Sequence, residues 1–180
     1  FDLASNDLNK QGAFVGYSGC PPLLDIYSLR PDRHLKDCKK LNEKIFRYVL
    51  NNKIKKIFLV SRWSYYTDGN YDQTNFSHIS KKEIFFSNKS NSREAFYFGL
   101  KNTLQRYNSI GVEVILVHQA PLQLHDPKYI YLRSLSKGGQ DIDQNKLFNL
   151  AVDYKKHMHL QNFVRDKIKS LKNKDYKFKV

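Results

Sequence analysis

The clearest hydrophobic pattern in the chain is the run Ile57-Phe58-Leu59-Val60, in which four consecutive apolar residues show no helical period. Lysines precede the run, and a polar and aromatic stretch follows it. A short apolar run of this kind is typical of a strand buried on both faces, as in a parallel sheet. We therefore predict a strand over residues 55–61 and expect a ligand site beyond its carboxyl end.

The residues just beyond this strand leave two interpretations open. Ser61, Arg62 and Trp63 come first, followed by Ser64 and two tyrosines. In one interpretation they line a site at the edge of the sheet. In the other, the aromatic side chains cap the core and Arg62 is a solvated surface charge.

The rest of the chain alternates between helical periods and short apolar runs. Polar segments over residues 67–91 and 122–139 are predicted loops. Regular alternation implies parallel strands with right-handed crossovers, and hence a single α/β domain of three layers. The predicted order is a helix end (1–11), a strand (13–17), a helix (37–51), a strand (55–61), a helix (92–108), a strand (112–117), a long helix (141–171) and the start of a strand (176–180).

Apolar spacing also predicts which side of each helix is buried. In the first full helix the buried stripe is Cys38, Leu41, Ile45 and Val49, and in the second it is Phe96, Leu100, Leu104 and Tyr107. In the long third helix the stripe includes Leu147, Leu150, Tyr154, Met158, Ile168 and Leu171.

The charge of the chain narrows the class of partner. Its 180 residues include 31 Lys and Arg against 17 Asp and Glu, for a formal net charge of +14. Such a surface favours anionic partners. No Arg cluster and no nucleic-acid motif accompany the lysines, so we interpret them as a solvated face and expect no nucleic-acid partner. With 41% hydrophobic residues the chain is typical of a globular protein.

Three predicted strand ends meet at one edge under this topology and define the candidate site. They are Ser18-Gly19, Ser61-Arg62-Trp63 and His118-Gln119. Ser18 or Ser61 with His118 could form a serine–histidine pair. The signal is weak, because no Gly-x-Ser-x-Gly elbow surrounds either serine.

Metal ligation is not predicted. His157 and His159 are two residues apart on a predicted helix and therefore point to different faces. There is no His-Glu-x-x-His motif and no cysteine cluster. The two cysteines, Cys20 and Cys38, allow two interpretations: one disulfide, or two buried free thiols.

Two stretches of the sequence resemble a known family. They are Ser18-Gly19-Cys20-Pro21-Pro22-Leu23, with Cys38 and Asn42 on the next helix, and Leu59-Val60-Ser61-Arg62-Trp63-Ser64-Tyr65-Tyr66. Both are similar to the SGNH domain that is fused to acyltransferase-3 membrane proteins of bacteria. The pattern over residues 96–121 resembles the same family, which implies a flavodoxin-like α/β/α sandwich with a mostly parallel sheet, as in GDSL-like hydrolases.

The resemblance implies an activity and a cellular location. It implies a periplasmic domain of an inner-membrane O-acyltransferase, which transfers acyl groups such as acetyl to hydroxyls of a surface polysaccharide through an acyl-serine. Lipopolysaccharide O-antigen is one such acceptor, and a glycolipid is another. The fused membrane module would handle the acyl donor, acetyl-CoA, so we expect no cofactor on this domain. The alternatives are a free-standing SGNH carbohydrate esterase and a non-catalytic basic domain that binds polyanions.

The catalytic motifs of the family are not found in residues 1–180. These are a Gly-Asp-Ser nucleophile motif and an Asp-x-x-His pair. The resemblance places the first before Phe1 and the second after the strand that starts at Tyr176. We therefore expect the chain to be a single SGNH-like domain without those two segments.

The resemblance also suggests roles for residues that are present. Gly19 matches the glycine that helps to form the oxyanion hole of the family, whereas Ser61-Arg62-Trp63 stands where the family has Gly-x-Asn. We hypothesise that Gly19 and the Arg62 region line the oxyanion or acceptor site. A periplasmic location favours a bridge between Cys20 and Cys38, because disulfides persist in that compartment.

Overall fold

The described part of the chain alternates helices and strands around a parallel sheet. The computed structural model describes residues 12–29, 36–71, 76–122, 126–135, 143–172 and 176–180. The predicted helix end over residues 1–11 lies outside these ranges. The elements are β1 (Tyr27–Ser28), α1 (Asp37–Asn51), β2 (Lys56–Leu59), a 3₁₀ helix (Trp63–Tyr66), β3 (Ile79–Ser80), α2 (Lys89–Ser109), β4 (Glu113–Leu116), α3 (Pro127–Ser134), α4 (Gln144–Leu150), α5 (Tyr154–Lys172) and β5 (Phe178–Lys179).

The main sheet has three described strands in the order β2-β4-β5, and all of them are parallel. Leu59 pairs with Leu116, and Val114 pairs with Phe178. β1 and β3 form a separate antiparallel pair. The parallel sheet and its intervening helices confirm the predicted α/β class and are consistent with a three-layer arrangement.

One strand prediction is wrong, and another is correct in position but not in burial. Residues 13–17 form no strand and are exposed, because in the described structure no neighbouring strand pairs with their backbone. β2 is also not buried on both faces. Leu59 lies in the core with Val114 and Leu116, whereas Phe58 and Val60, on the opposite face, are each 60% exposed. β2 lies at one end of the described strand order, and its apolar run reflects one packed face rather than two.

Local hydrogen bonds explain where helices differ from their predicted bounds. α3 lies in the predicted loop over residues 122–139, and its first turn is capped by Asp126, whose carboxylate accepts from Lys128 N at 2.7 Å. The single helix predicted over residues 141–171 is divided into α4 and α5. Asp153 begins α5 by accepting from Lys155 N and Lys156 N at 2.8 and 3.1 Å. Carboxylates in this position favour a new helix start over a continuous helix.

The first two full helices are confirmed, with changes in detail. α2 begins three residues before the predicted start, at Lys89, because the Asn88 side chain accepts from Asn91 N at 2.8 Å. Its buried stripe contains the four predicted residues. In α1 the buried stripe includes Asn42 and Phe46 instead of Leu41 and Ile45.

The stripe predicted for the last helix is only partly correct. Ile168 and Leu171 are buried as predicted. Tyr154 is exposed, and the buried positions near the start of α5 are His157, Leu160 and Gln161. Two polar side chains therefore interrupt the apolar stripe near the start of α5.

The segment before α1 is fixed to that helix by a covalent bond and by polar contacts. Cys20 and Cys38 form the predicted disulfide, with their Cα atoms 5.3 Å apart. The Asn42 amide donates to Pro21 O and Leu23 O at 2.8 and 2.9 Å. Gly19 has a φ of +78° in the turn closed by Cys20 N and Tyr17 O, a conformation that favours glycine.

We expect the disulfide to stabilise the fold measurably. Replacing both cysteines by serine should lower the free energy of unfolding by about 3 kcal/mol, because the bridge closes a loop of 18 residues in the unfolded chain. Urea unfolding of the oxidised protein and of Cys20→Ser/Cys38→Ser measures this difference. A reductant should lower the unfolding midpoint of the natural chain and leave that of the double variant unchanged; two free thiols by mass spectrometry would contradict the bridge.

Candidate functional site

The candidate site lies where β2 and β4 end. Because the two strands are parallel and in register, their carboxyl ends meet at the same edge of the sheet. Ser61 and Arg62 follow β2, and His118 and Gln119 follow β4. The predicted convergence of these two strand ends is therefore found. The third predicted strand end, Ser18-Gly19, is not a strand end, because residues 13–17 form no strand; its contacts are with Ser28 and Cys38.

Trp63 joins the two strand ends from inside the core. Its side chain is fully buried, and its ring packs edge-to-face on Phe96 with ring centroids 6.1 Å apart. The indole Nε1 donates to Val117 O, just beyond β4, at 2.8 Å. Of the two interpretations for Trp63, the structure matches the one in which the tryptophan caps the core.

Gln119 makes the second connection between the strand ends. Its side chain is buried, and its Oε1 accepts from Ser64 N at 2.8 Å and from Ser64 Oγ at 3.1 Å. Ser64 O in turn accepts from the backbone N–H groups of Thr67, Asp68 and Gly69. These bonds hold the 3₁₀ helix against the end of β4 and fix the position from which Arg62 projects.

Arg62 provides the open positive charge of the edge. The residue is exposed, and its guanidinium lies 4.5 Å from the centroid of the Tyr65 ring. A guanidinium stacked on an aromatic face keeps its orientation while its N–H donors remain available. Ser61 is half-buried beside it.

A relay of polar contacts connects the Gly19 turn with the turn after β2. Gly19 O accepts from Ser28 Oγ at 3.0 Å, and Ser28 pairs with Ile79 between β1 and β3. Ile79 N donates to Ser92 Oγ at 2.9 Å, and Ser92 Oγ donates to Tyr66 O at 2.7 Å. Gly19 and the 3₁₀ helix are therefore parts of one bonded framework.

An ion-pair cluster fixes the start of α2 under this framework. Asp68 is buried and pairs with Arg93 and, at 3.0 Å, with Lys89. The Arg93 guanidinium also lies 4.6 Å from the centroid of the Phe163 ring on α5. The cluster thus connects the loop after the 3₁₀ helix with both α2 and α5.

The start of α5 adds buried polar groups that face the same region. α5 packs against the 3₁₀ helix. His157, Gln161 and Arg165 are spaced four residues apart and so share one face of α5. His157 Nδ1, Gln161 Nε2 and Gln119 Nε2 are buried without a hydrogen-bond partner within the described residues. Buried polar groups without partners are uncommon and often mark functional positions.

The pKa values of His118 after β4 and of His157 on α5 are both lowered, which favours the neutral imidazole. Loss of solvent lowers the pKa of His157 below its usual value, and the charge of Arg165 lowers it further. His118 is exposed overall, yet partial loss of solvent around its ring, followed by the charge of Arg165, lowers its pKa in the same direction. A neutral imidazole can accept a proton, so either ring has the protonation state that a base requires.

Neither a cluster of metal-ligating side chains nor a candidate membrane-spanning helix occurs in the described part of the chain. Within those ranges, no three His, Cys, Asp or Glu side chains come close enough together to hold a metal ion. No helix there combines the length and the hydrophobicity needed to cross a bilayer.

Comparison with known proteins identifies the family. The sequence profile of the family described as SGNH domain (fused to AT3 domains) matches residues 1–180. The chain therefore belongs to the SGNH domains that are fused to AT3 domains. Comparison with curated proteins and with solved structures gives no match.

Sequence reasoning placed Arg62 and His118 at the edge but missed the polar groups beneath it. The roles of Gln161, His157 and the Asp68–Arg93 pair were not predicted. The sequence did contain one signal. His157 and Gln161 lie beside Leu160 and Val164 in the apolar stripe of α5, whereas the polar residues of a solvated helix face lie outside such a stripe.

We expect the Gln119 carboxamide to be required for the stability of the edge. Gln119→Leu should lower the free energy of unfolding by about 1–3 kcal/mol, because Ser64 N and Ser64 Oγ lose their buried acceptor. Gln105→Leu, which makes the same change at an exposed position on α2, is the matched control. Equal urea midpoints for the two variants would show that the contact does not stabilise the turn.

His157 should also make stability depend on pH. Its pKa is lower in the folded protein than in the unfolded chain, so protonation favours unfolding as the pH falls through about 6.5. Urea unfolding at pH 7.5 and 5.5 should show a smaller loss of stability for His157→Gln than for the natural chain. His159→Gln changes an exposed histidine on the same helix, and it should retain the full loss. Identical pH profiles for the two variants would exclude this role.

Proposed function

We propose that this domain is the periplasmic SGNH domain of an inner-membrane O-acyltransferase. In this proposal it receives an acyl group, such as acetyl, and transfers it to a hydroxyl of a cell-surface polysaccharide or glycolipid, with lipopolysaccharide O-antigen as one acceptor. The fused AT3 module supplies the acyl group from acetyl-CoA. Membership of the SGNH family that is fused to AT3 domains supports the acyltransferase association.

The chemistry of the proposal requires two transfers through tetrahedral intermediates. A serine oxygen attacks the acyl carbonyl and releases the donor, and a sugar hydroxyl then attacks the acyl-serine and releases the serine. Each intermediate carries a negatively charged oxygen that fixed hydrogen-bond donors stabilise. The proposal requires a nucleophilic serine and its Asp-x-x-His partners, and neither motif occurs within residues 1–180.

The role proposed for the described residues is to bind that developing charge or the acceptor. The observation that carries it is the exposed Arg62 guanidinium, stacked on Tyr65 at the carboxyl edge of the parallel sheet. Gly19 is proposed as the second contributor, through its backbone N–H. The relay from Gly19 to the 3₁₀ helix supports a common site for both residues.

The disulfide supports the proposed compartment. Disulfides form and persist in the bacterial periplasm and are rare in cytosolic proteins. The bridge between Cys20 and Cys38 is therefore compatible with a periplasmic domain.

The test uses the complete protein with its AT3 module. Arg62→Ala should lower acyl transfer to the acceptor by about 10²–10³-fold, which is typical for loss of one oxyanion donor. Arg47→Ala, an exposed arginine on α1, is the matched control and should leave transfer unchanged. Mass spectrometry of the acceptor polysaccharide measures the transferred groups. Equal transfer by the two variants would exclude Arg62 from the site.

The same assay separates the proposal from its alternatives. Release of free acid that does not depend on the acceptor would indicate a carbohydrate esterase. The net charge of +14 favours the other alternative, a basic domain that binds polyanions without catalysis. That alternative predicts no acyl turnover by the complete protein, together with polysaccharide binding that falls steeply with salt.

A further inference from the structure

The loop between β3 and α2 carries the most exposed pair of adjacent aromatic side chains in the described residues. Phe85 is 80% exposed and Phe86 is 88% exposed. Soluble domains expose single apolar residues routinely, but two neighbouring phenyl rings at a loop tip are typical of an interaction site. Nothing in the acyl-transfer proposal uses these residues.

The base of the loop is fixed at both ends. Glu83 pairs with Lys36 at 3.0 Å, and Lys81 pairs with Glu94 on α2. At the other end Asn88 caps α2. Ile84, just before the two phenylalanines, is half-buried. The two rings therefore project from a supported loop.

The surface around the two rings is basic. Lys82 is exposed beside the paired Lys81, and Lys89 follows the loop at the start of α2. Near the loop Lys36 pairs with Glu83, Lys81 with Glu94, and Lys89 with Asp68, which also pairs with Arg93. Lys82 adds a further exposed positive charge, so basic groups exceed acidic ones. The whole chain adds its net charge of +14.

We infer that Phe85 and Phe86 insert into the interface of an anionic lipid bilayer, with the adjacent lysines on the lipid headgroups. Phenyl rings gain free energy at the boundary between headgroups and acyl chains, and lysines are attracted to anionic lipids. A second copy of the chain is a less favourable partner for the two rings, because a symmetric contact would bring two basic surfaces together. This contact would fix the orientation of the domain on the membrane, and it does not depend on the proposed enzymatic activity.

Vesicle sedimentation tests the proposal. The natural chain should bind vesicles that contain phosphatidylglycerol, should bind phosphatidylcholine vesicles poorly, and should be released by salt. Phe85→Ser/Phe86→Ser should weaken binding by about tenfold to a hundredfold. The matched control is Phe14→Ser/Phe148→Ser, which removes two phenyl rings that are 86% and 81% exposed elsewhere. Equal binding by the two double variants would overturn the proposal.

A second pair of variants tests the contribution of the lysines to vesicle binding. Lys81→Gln/Lys82→Gln should weaken binding to the anionic vesicles by about tenfold. Lys53→Gln/Lys55→Gln removes the same charge from exposed positions before β2 and should have a smaller effect. Equal losses would indicate attraction by overall charge alone and would contradict a defined contact at the loop.

A fluorescence measurement reports insertion directly. Phe86→Trp should show a blue shift of its emission with phosphatidylglycerol vesicles, whereas Phe148→Trp should show none, and the buried Trp63 provides a constant background. An unchanged spectrum for Phe86→Trp would exclude insertion.

Analytical ultracentrifugation without lipid should show a monomer. A dimer that Phe85→Ser/Phe86→Ser abolishes would assign the two rings to a second copy and overturn the membrane contact.

Discussion

The rest of the site depends on the connection between the ends of β2 and β4. The chain leaves each strand and turns away, and the Trp63 indole and the Gln119 carboxamide hold the two turns together. Both contacts are made in the interior, where an unmade hydrogen bond is costly. This connection sets the position of the 3₁₀ helix, and with it the direction of Arg62 and the packing of α5.

Local sequence patterns were sufficient to predict the helices and strands whose apolar spacing is contained within the element itself. α1, α2, β4 and β5 were predicted because their apolar spacing is visible within a few residues. The two errors about strands have a common cause in long-range packing. Residues 13–17 have strand-like composition without a neighbouring strand in the described structure, and the apolar run of β2 does not reveal that one of its faces remains largely exposed.

The position of the site could be predicted from the sequence, but several of the residues that form it could not. The carboxyl ends of parallel strands indicated where to look, and the family resemblance directed attention to Gly19 and Arg62. The role of Gln119 was not predictable, because its partner Ser64 is 55 residues away in the sequence. The same limit applies to His157 and Gln161, which are buried on the helix that packs against the 3₁₀ helix.

The polar relay between the Gly19 turn and the 3₁₀ helix has a consequence for how the domain opens. The relay runs through side-chain hydrogen bonds and through the pairing of β1 with β3, so detaching either turn breaks contacts of the same framework. Native-state fluctuations should therefore open both turns as one cooperative unit. A partly unfolded molecule would retain the parallel strands and lose the entire edge at once.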